Sequence, residues 1–138
     1  MHQTLSKILT EASRTPVDHN LAYSALLIAK VEYPHLDPKP YLDKLDTLGK
    51  NARLYLDKAL QKTKDESIEA RVTNLNNYLF KEEEFVGNQE EYEDPRNSCF
   101  NEVLDRRIGI PITLSIVYIE VAKQVGLHIE GINFPGHF

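Results

Sequence analysis

Covalent chemistry in a protein needs a nucleophile, and few side chains of this sequence can supply one. Cys99 is the single cysteine. It follows Asn97 and Ser98 at the expected start of a short helix, where the helix dipole can lower a thiol's pKa. The same position equally suits a small, partly buried residue with no chemistry of its own. Thr113 and Ser115 place hydroxyls in the first turn of a longer helix opened by Pro111. Hydroxyls there more often bond to nearby backbone, and a serine- or threonine-type hydrolase would also need an activating base. One thiol can form no internal disulfide and cannot assemble a thiolate zinc site. His2, His19, His35 and His128 show no ligand spacing with carboxylates or thiols, so neither a metal nor a cofactor is expected.

Charged residues gather in two places. Glu82, Glu83, Glu84, Glu90, Glu91, Glu93 and Asp94 surround Gly87-Asn88 and Asp94-Pro95 in a stretch with no periodicity. These acids lack the fixed alternation of a calcium loop, so a solvated charge run competes with a partner site. Asp105, Arg106 and Arg107 precede the Pro111 helix. An arginine here can fork onto Glu102 or onto an acid of the long stretch.

Helices must position these groups. Leu5, Ile8, Leu9 and Ala12 recur at helical spacing before Thr15-Pro16. Asp18 or Asn20 can cap a second helix with Leu21, Ala22, Ala25, Leu26 and Ala29 on one face, closed by Tyr33-Pro34. Asp37, followed by Pro38 and Pro40, opens a third, striped by Leu42, Leu45, Gly49, Ala52 and Leu56. Ile68, Val72, Leu75 and Leu79 mark a fourth. A long acidic loop follows, and Asn97 or Ser98 can cap a fifth helix that turns Phe100, Val103 and Leu104 inward. From Pro111 to Val125 apolar residues cover every face of the first two turns, which predicts a central buried helix ended by Gly126. Residues 127–134 then alternate as a strand with a phase slip at Gly131.

The expected organisation is a helical region over residues 1–80, an acidic loop over 81–97, and a segment over 98–138 holding the central helix (111–125) and the strand (127–134). All of it is one domain, since 138 residues suffice for a single core. The fold class is mainly α, about six helices with one or two C-terminal strands. The strand has no obvious partner before the sequence stops at Phe138, so it is expected to pair with another copy or stay disordered. With 41% hydrophobic and 27% charged residues the composition is that of an ordinary globular domain. A net charge of −5 argues against a nucleic-acid partner. No apolar run is long enough to span a membrane, and Met1-His2-Gln3-Thr4-Leu5 lacks a signal pattern, so the cytoplasm is the expected compartment.

The block from Asp94-Pro95-Arg96-Asn97-Ser98-Cys99-Phe100-Asn101-Glu102-Val103-Leu104-Asp105-Arg106-Arg107 through Ile108-Gly109-Ile110-Pro111-Ile112-Thr113-Leu114-Ser115 resembles the signature of the SirB-type family of bacterial transglutaminase-like proteins. Ala29-Lys30-Val31-Glu32-Tyr33-Pro34, Asn76-Asn77-Tyr78-Leu79-Phe80, Phe85-Val86-Gly87-Asn88 and the ending Gly131-Ile132-Asn133-Phe134-Pro135-Gly136-His137-Phe138 extend the resemblance over most of the chain. It implies a truncated α+β core of papain-related architecture, a central helix packed on an antiparallel sheet, with tetratricopeptide-type repeats commonly following in that family.

The resemblance also implies where a nucleophile would stand. Active members of the wider superfamily carry a cysteine at the start of the central helix, a place that falls near Ile112 or Thr113 here, where there is no thiol. His137 resembles the superfamily's catalytic histidine, with an orienting acid or amide expected beyond Phe138. Asn97, Asn101, Glu102, Arg107 and Pro111 would border the remnant cleft. The implied function is a non-catalytic module that binds a protein partner through that cleft or beside the acidic loop. The alternative is a hydrolase or acyl transferase using His137 with Thr113, Ser115 or Cys99, and a third reading is a structural helical cap.

Overall fold

The computed structural model describes residues 20–127 apart from Gln89 and Tyr92. The expected first helix (Leu5 to Ala12), His137, and the strand over 127–134 beyond Leu127, with its expected pairing to a second copy, lie outside the described residues. Within them the fold is mostly helical. Five α-helices run α1 (Asn20–Ala29), α2 (Pro38–Thr63), α3 (Ile68–Asn77), α4 (Phe100–Arg106) and α5 (Pro111–Gln124). A two-residue parallel pair, β1 (Val86–Gly87) with β2 (Ile108–Gly109), ties the acidic stretch to the turn between α4 and α5.

Helix starts follow the chemistry of their capping residues. Asp37 is extended and accepts from the Lys39 amide at 3.1 Å, satisfying one of the free N–H groups of α2. Ser67 does the same for α3 through the Ala70 amide at 3.1 Å. At the far end of α5, Gly126 adopts φ +79°. The Leu127 amide donates to Ala122 O at 2.9 Å and the Gly126 amide to Lys123 O at 3.2 Å, the paired bonds of a Schellman turn. α1 ends a turn earlier than Tyr33, at Ala29, and its last carbonyls are taken up by the turn amides of Lys30 and Tyr33.

The core is the meeting of α2 with α5, the most extensive helix pair. Leu45, Leu48, Ala52 and Leu56 of α2 and Leu114, Val117, Tyr118, Val121 and Ala122 of α5 are buried there. Gly49 lets the two backbones approach. A Cβ at that position would lie 2.0 Å from the side-chain oxygen of Gln124, whose amide nitrogen donates to Leu45 O at 3.3 Å.

Four sequence expectations change. α3 does not continue regularly to Leu79: a π turn at Tyr78–Glu82, closed by the Glu83 amide on Tyr78 O at 2.9 Å, inserts a residue and turns both Tyr78 and Leu79 inward. Ile68, expected on the buried stripe, is 71% exposed because it sits in the helix's first turn, past the edge of the core. α5 is not buried all round, since Ile112 is 67% exposed. The stretch read as one long loop carries β1, a 3-10 turn (Pro95–Ser98) and a buried Phe85, so its backbone is anchored. No helix among the described residues is long and apolar enough to cross a membrane.

Candidate functional site

The start of α5 is built from three short pieces of chain. Ile110 is extended, Pro111 is the first helical residue, and Thr113 reaches back over the turn. Its Oγ1 accepts from the Ile110 amide at 3.1 Å and lies 2.8 Å from Asn97 O and 3.1 Å from Ile110 O. The hydroxyl therefore closes the helix start and binds it to the 3-10 turn. Gly109 lies close beneath, where a Cβ would come within 2.7 Å of that oxygen. Ser115 is likewise committed, its Oγ donating to Pro111 O at 2.6 Å. Hydroxyls at both positions thus act on the backbone, as first-turn hydroxyls usually do.

Asn97 is fully buried and joins the same node. Its amide nitrogen donates to Glu91 O at 2.9 Å, and its oxygen accepts from Asn88 Nδ2 at 3.3 Å. Asn97 therefore fastens the acidic stretch rather than capping α4. Ser98 does not cap it either: the residue at the helix start is Cys99, which makes no side-chain capping bond. Both were displaced from that role because Pro95–Ser98 winds into a 3-10 turn, itself capped by Asp94 through the Arg96 amide at 2.9 Å.

The Cys99 thiol is buried, and burial, followed by the nearby carboxylates of Glu32 and Glu102, pushes its pKa up. That is the opposite of the depressed value of an activated thiol. Glu102 is turned toward α1 and accepts from the Tyr33 hydroxyl at 2.7 Å. This hydrogen bond, with burial, raises the Tyr33 pKa to about 12. Asn101 is buried on α4, its side-chain oxygen without a hydrogen-bond partner among the described residues.

Arg107 belongs to a different place. It ends α4 in a left-handed conformation, φ 61°, with its amide on Val103 O at 2.8 Å. Its guanidinium pairs with the Glu83 carboxylate, donates to Glu83 O at 2.8 Å, and covers the Phe85 ring at 5.2 Å from the centroid. Arg106 approaches Asp94 at 3.9 Å, so the acids of the long stretch, and not Glu102, receive both arginines. On the other side of Glu83, the Tyr78 hydroxyl donates at 2.5 Å, and burial together with this carboxylate raises its pKa.

Arg107 and Glu83 border a groove of about 400 Å3 along α2, with Lys44, Thr47 and Asn51 on its opposite wall. Lys44 is held by Asp105 at 2.6 Å, and the Tyr41 hydroxyl donates to the same carboxylate at 2.9 Å. The proposed cleft residues thus fall into three settings. Asn97 is bonded to Thr113 in the helix turn that Pro111 opens, Arg107 lines the groove, and Asn101 and Glu102 lie on α4, with Glu102 bonded to Tyr33 of the segment that follows α1. Sequence reading missed Lys44, Tyr41 and Tyr33 as partners of α4, and Asn51 as a wall of the groove. A signal was present: Lys44, Thr47 and Asn51 recur at three and four residues on a helix whose apolar stripe lies elsewhere.

Among the described residues no three His, Cys, Asp or Glu side chains gather in a way that could hold a metal ion.

A UPF0162 protein of Xylella fastidiosa is 42% identical over 118 residues, covering 86% of this chain and 40% of that protein. A UPF0162 protein of Pseudomonas aeruginosa is 30% identical over 115 residues, 83% of this chain and 40% of its own length. F-box only protein 21 of Mus musculus is 40% identical over 72 residues, which is 51% of this chain but 12% of that protein. The chain thus spans about 40% of the bacterial relatives it matches. No solved structure matches it. Residues 39–138, which include all of α2 but its first residue, the whole α5 node and the groove, match the family model of the transglutaminase-like superfamily, and the chain belongs to that superfamily.

Proposed function

We propose that this chain is a non-catalytic, SirB-type transglutaminase-like module that binds a protein partner along the α2 groove and the adjoining acidic stretch. The observation that carries this reading is the side-chain inventory at the start of α5. Where the resemblance puts a nucleophile, Ile112 offers an exposed alkyl chain and Thr113 a hydroxyl fully occupied by backbone. Cys99, the one thiol, is buried, and burial, followed by the Glu32 and Glu102 carboxylates, disfavours its thiolate. A groove walled by Lys44, Arg107, Asn51 and Glu83 suits a peptide surface of mixed charge better than a small apolar ligand. Matches to bacterial proteins about two and a half times the matched length, and to a small part of a mammalian protein, fit a portable module.

A thiol probe separates this from an enzyme. Cys99 of the native protein, in its natural full length, is expected to label slowly, at a rate unaffected by a His137→Ala change. Rapid labelling that rises with pH through neutrality and is abolished by that change would establish a thiolate–imidazole pair and sink the reading. In pull-downs from cell extract, Glu83→Lys with Asn51→Arg is expected to lose partners that the unaltered protein captures. An identical captured set rejects the groove.

A further inference from the structure

We propose that the apolar edge of α1 is an intramolecular docking surface for the segment Leu5–Ala12 of the same chain. Plotted at about 100° per residue, Ile28, Leu21, Ala25, Ala29, Ala22 and Leu26 span an apolar arc of about 160° on this helix. The fold covers only part of it. Ala22, Leu26 and Ala29 are buried against α2, α4 and α5. Leu21 at 41% and Ile28 at 59% exposure share the uncovered edge about two turns apart, and Val31 at 73% is exposed just past the helix end. Two large aliphatic side chains thus share one exposed edge of α1.

The sequence immediately before α1 carries a matching apolar pattern. Leu5, Ile8, Leu9 and Ala12 repeat at helical spacing over seven residue steps, the same interval that separates Leu21 from Ile28. Leu21 and Ile28 are about 10 Å apart along α1, the span that a helical segment of this spacing would match. The seven residues between Ala12 and Asn20 include Pro16 and are of the length that joins antiparallel helices. A segment tethered so closely has a high effective concentration at this edge, which favours it over a second copy.

Hydrogen exchange on the intact chain tests the assignment. In Leu5→Asp/Ile8→Asp the α1 amides are expected to exchange at least about tenfold faster, because two large aliphatic contacts are lost. The α5 amides, an internal reference, should keep their rates, and Leu21→Asp/Ile28→Asp should give the same pattern, both proteins sedimenting as monomers. Unchanged α1 exchange in the segment variant overturns the proposal. So does an unaltered protein that sediments as a dimer and is dissociated by Leu21→Asp/Ile28→Asp, which would assign the edge to a second copy. If the aspartates prevent folding, Leu5→Ala/Ile8→Ala reads the same amides, and rates equal to those of the unaltered protein reject the docking.

Discussion

Thr113 shows how a side chain with nucleophilic potential is turned to structure. Its hydroxyl sits between the Ile110 amide and the Asn97 carbonyl and bonds to both at a largely buried helix start. Thr113→Val keeps the shape and removes the oxygen, so it should cost about 1–3 kcal/mol in urea unfolding, the usual penalty for stranding buried polar groups. Thr113→Ser, which keeps the oxygen, should recover most of that loss, and equal losses for both would refute the hydrogen-bonding account. Asp94 makes a different contribution. Its carboxylate takes Arg96 at 2.7 Å and caps the 3-10 turn, and these bonds, the Arg96 side chain first, hold its pKa at about 2, below the ordinary 3.8. A depressed folded pKa adds stability that is present above the unfolded value and is lost as pH falls through the folded one. The stability difference between the unaltered protein and Asp94→Asn should therefore be steady above about pH 4 and shrink between about pH 4 and 2. A difference that stays constant over that interval in acid-titrated unfolding would rule the mechanism out.

Elements whose signals are local could be read from the residues alone. Asp37 before two prolines marks the α2 start, and Gly126 after a long apolar run marks the α5 end, because caps and breakers act within one turn. The inward set Leu45, Gly49, Ala52 and Leu56 follows directly from helical period. What escaped reading depends on contacts distant in sequence. In the π turn at Tyr78–Glu82, Tyr78 meets both Tyr55 on α2 and Glu83, and no periodicity in α3 announces it. β1 and β2 are two residues each and 22 positions apart, too short for an alternation to show. The candidate site is similarly divided. Pro111 and Thr113 could be placed at a helix start from their types, whereas the Arg107–Glu83 groove needs α2, the π turn and α4 brought together.

Taken as a whole, the molecule uses its acidic stretch as a strap over the core. Phe85 is the point where this can be tested. Its ring is buried beneath the Arg107 guanidinium, and its amide donates to Leu79 O at 3.0 Å. The flanking Val86 and Asn88 amides donate to Arg107 O and Gly109 O at 2.9 and 3.0 Å, so one short run of backbone joins the π turn, α4 and the approach to α5. Surrounding carboxylates give this run its acidic composition, yet the charges point outward or onto Arg106 and Arg107 while the aromatic anchor points in. If the strap is part of the cooperative core, Phe85→Ala should lower stability by about 3–5 kcal/mol, the range for removing a buried aromatic ring. The urea midpoint should fall with the slope unchanged, because the surface exposed on unfolding stays the same. A peripheral loop would give a different result: a loss below about 0.5 kcal/mol, the range of surface substitutions, with the midpoint hardly moved. That outcome would detach the acidic stretch from the core and leave the groove beside it without a fixed wall.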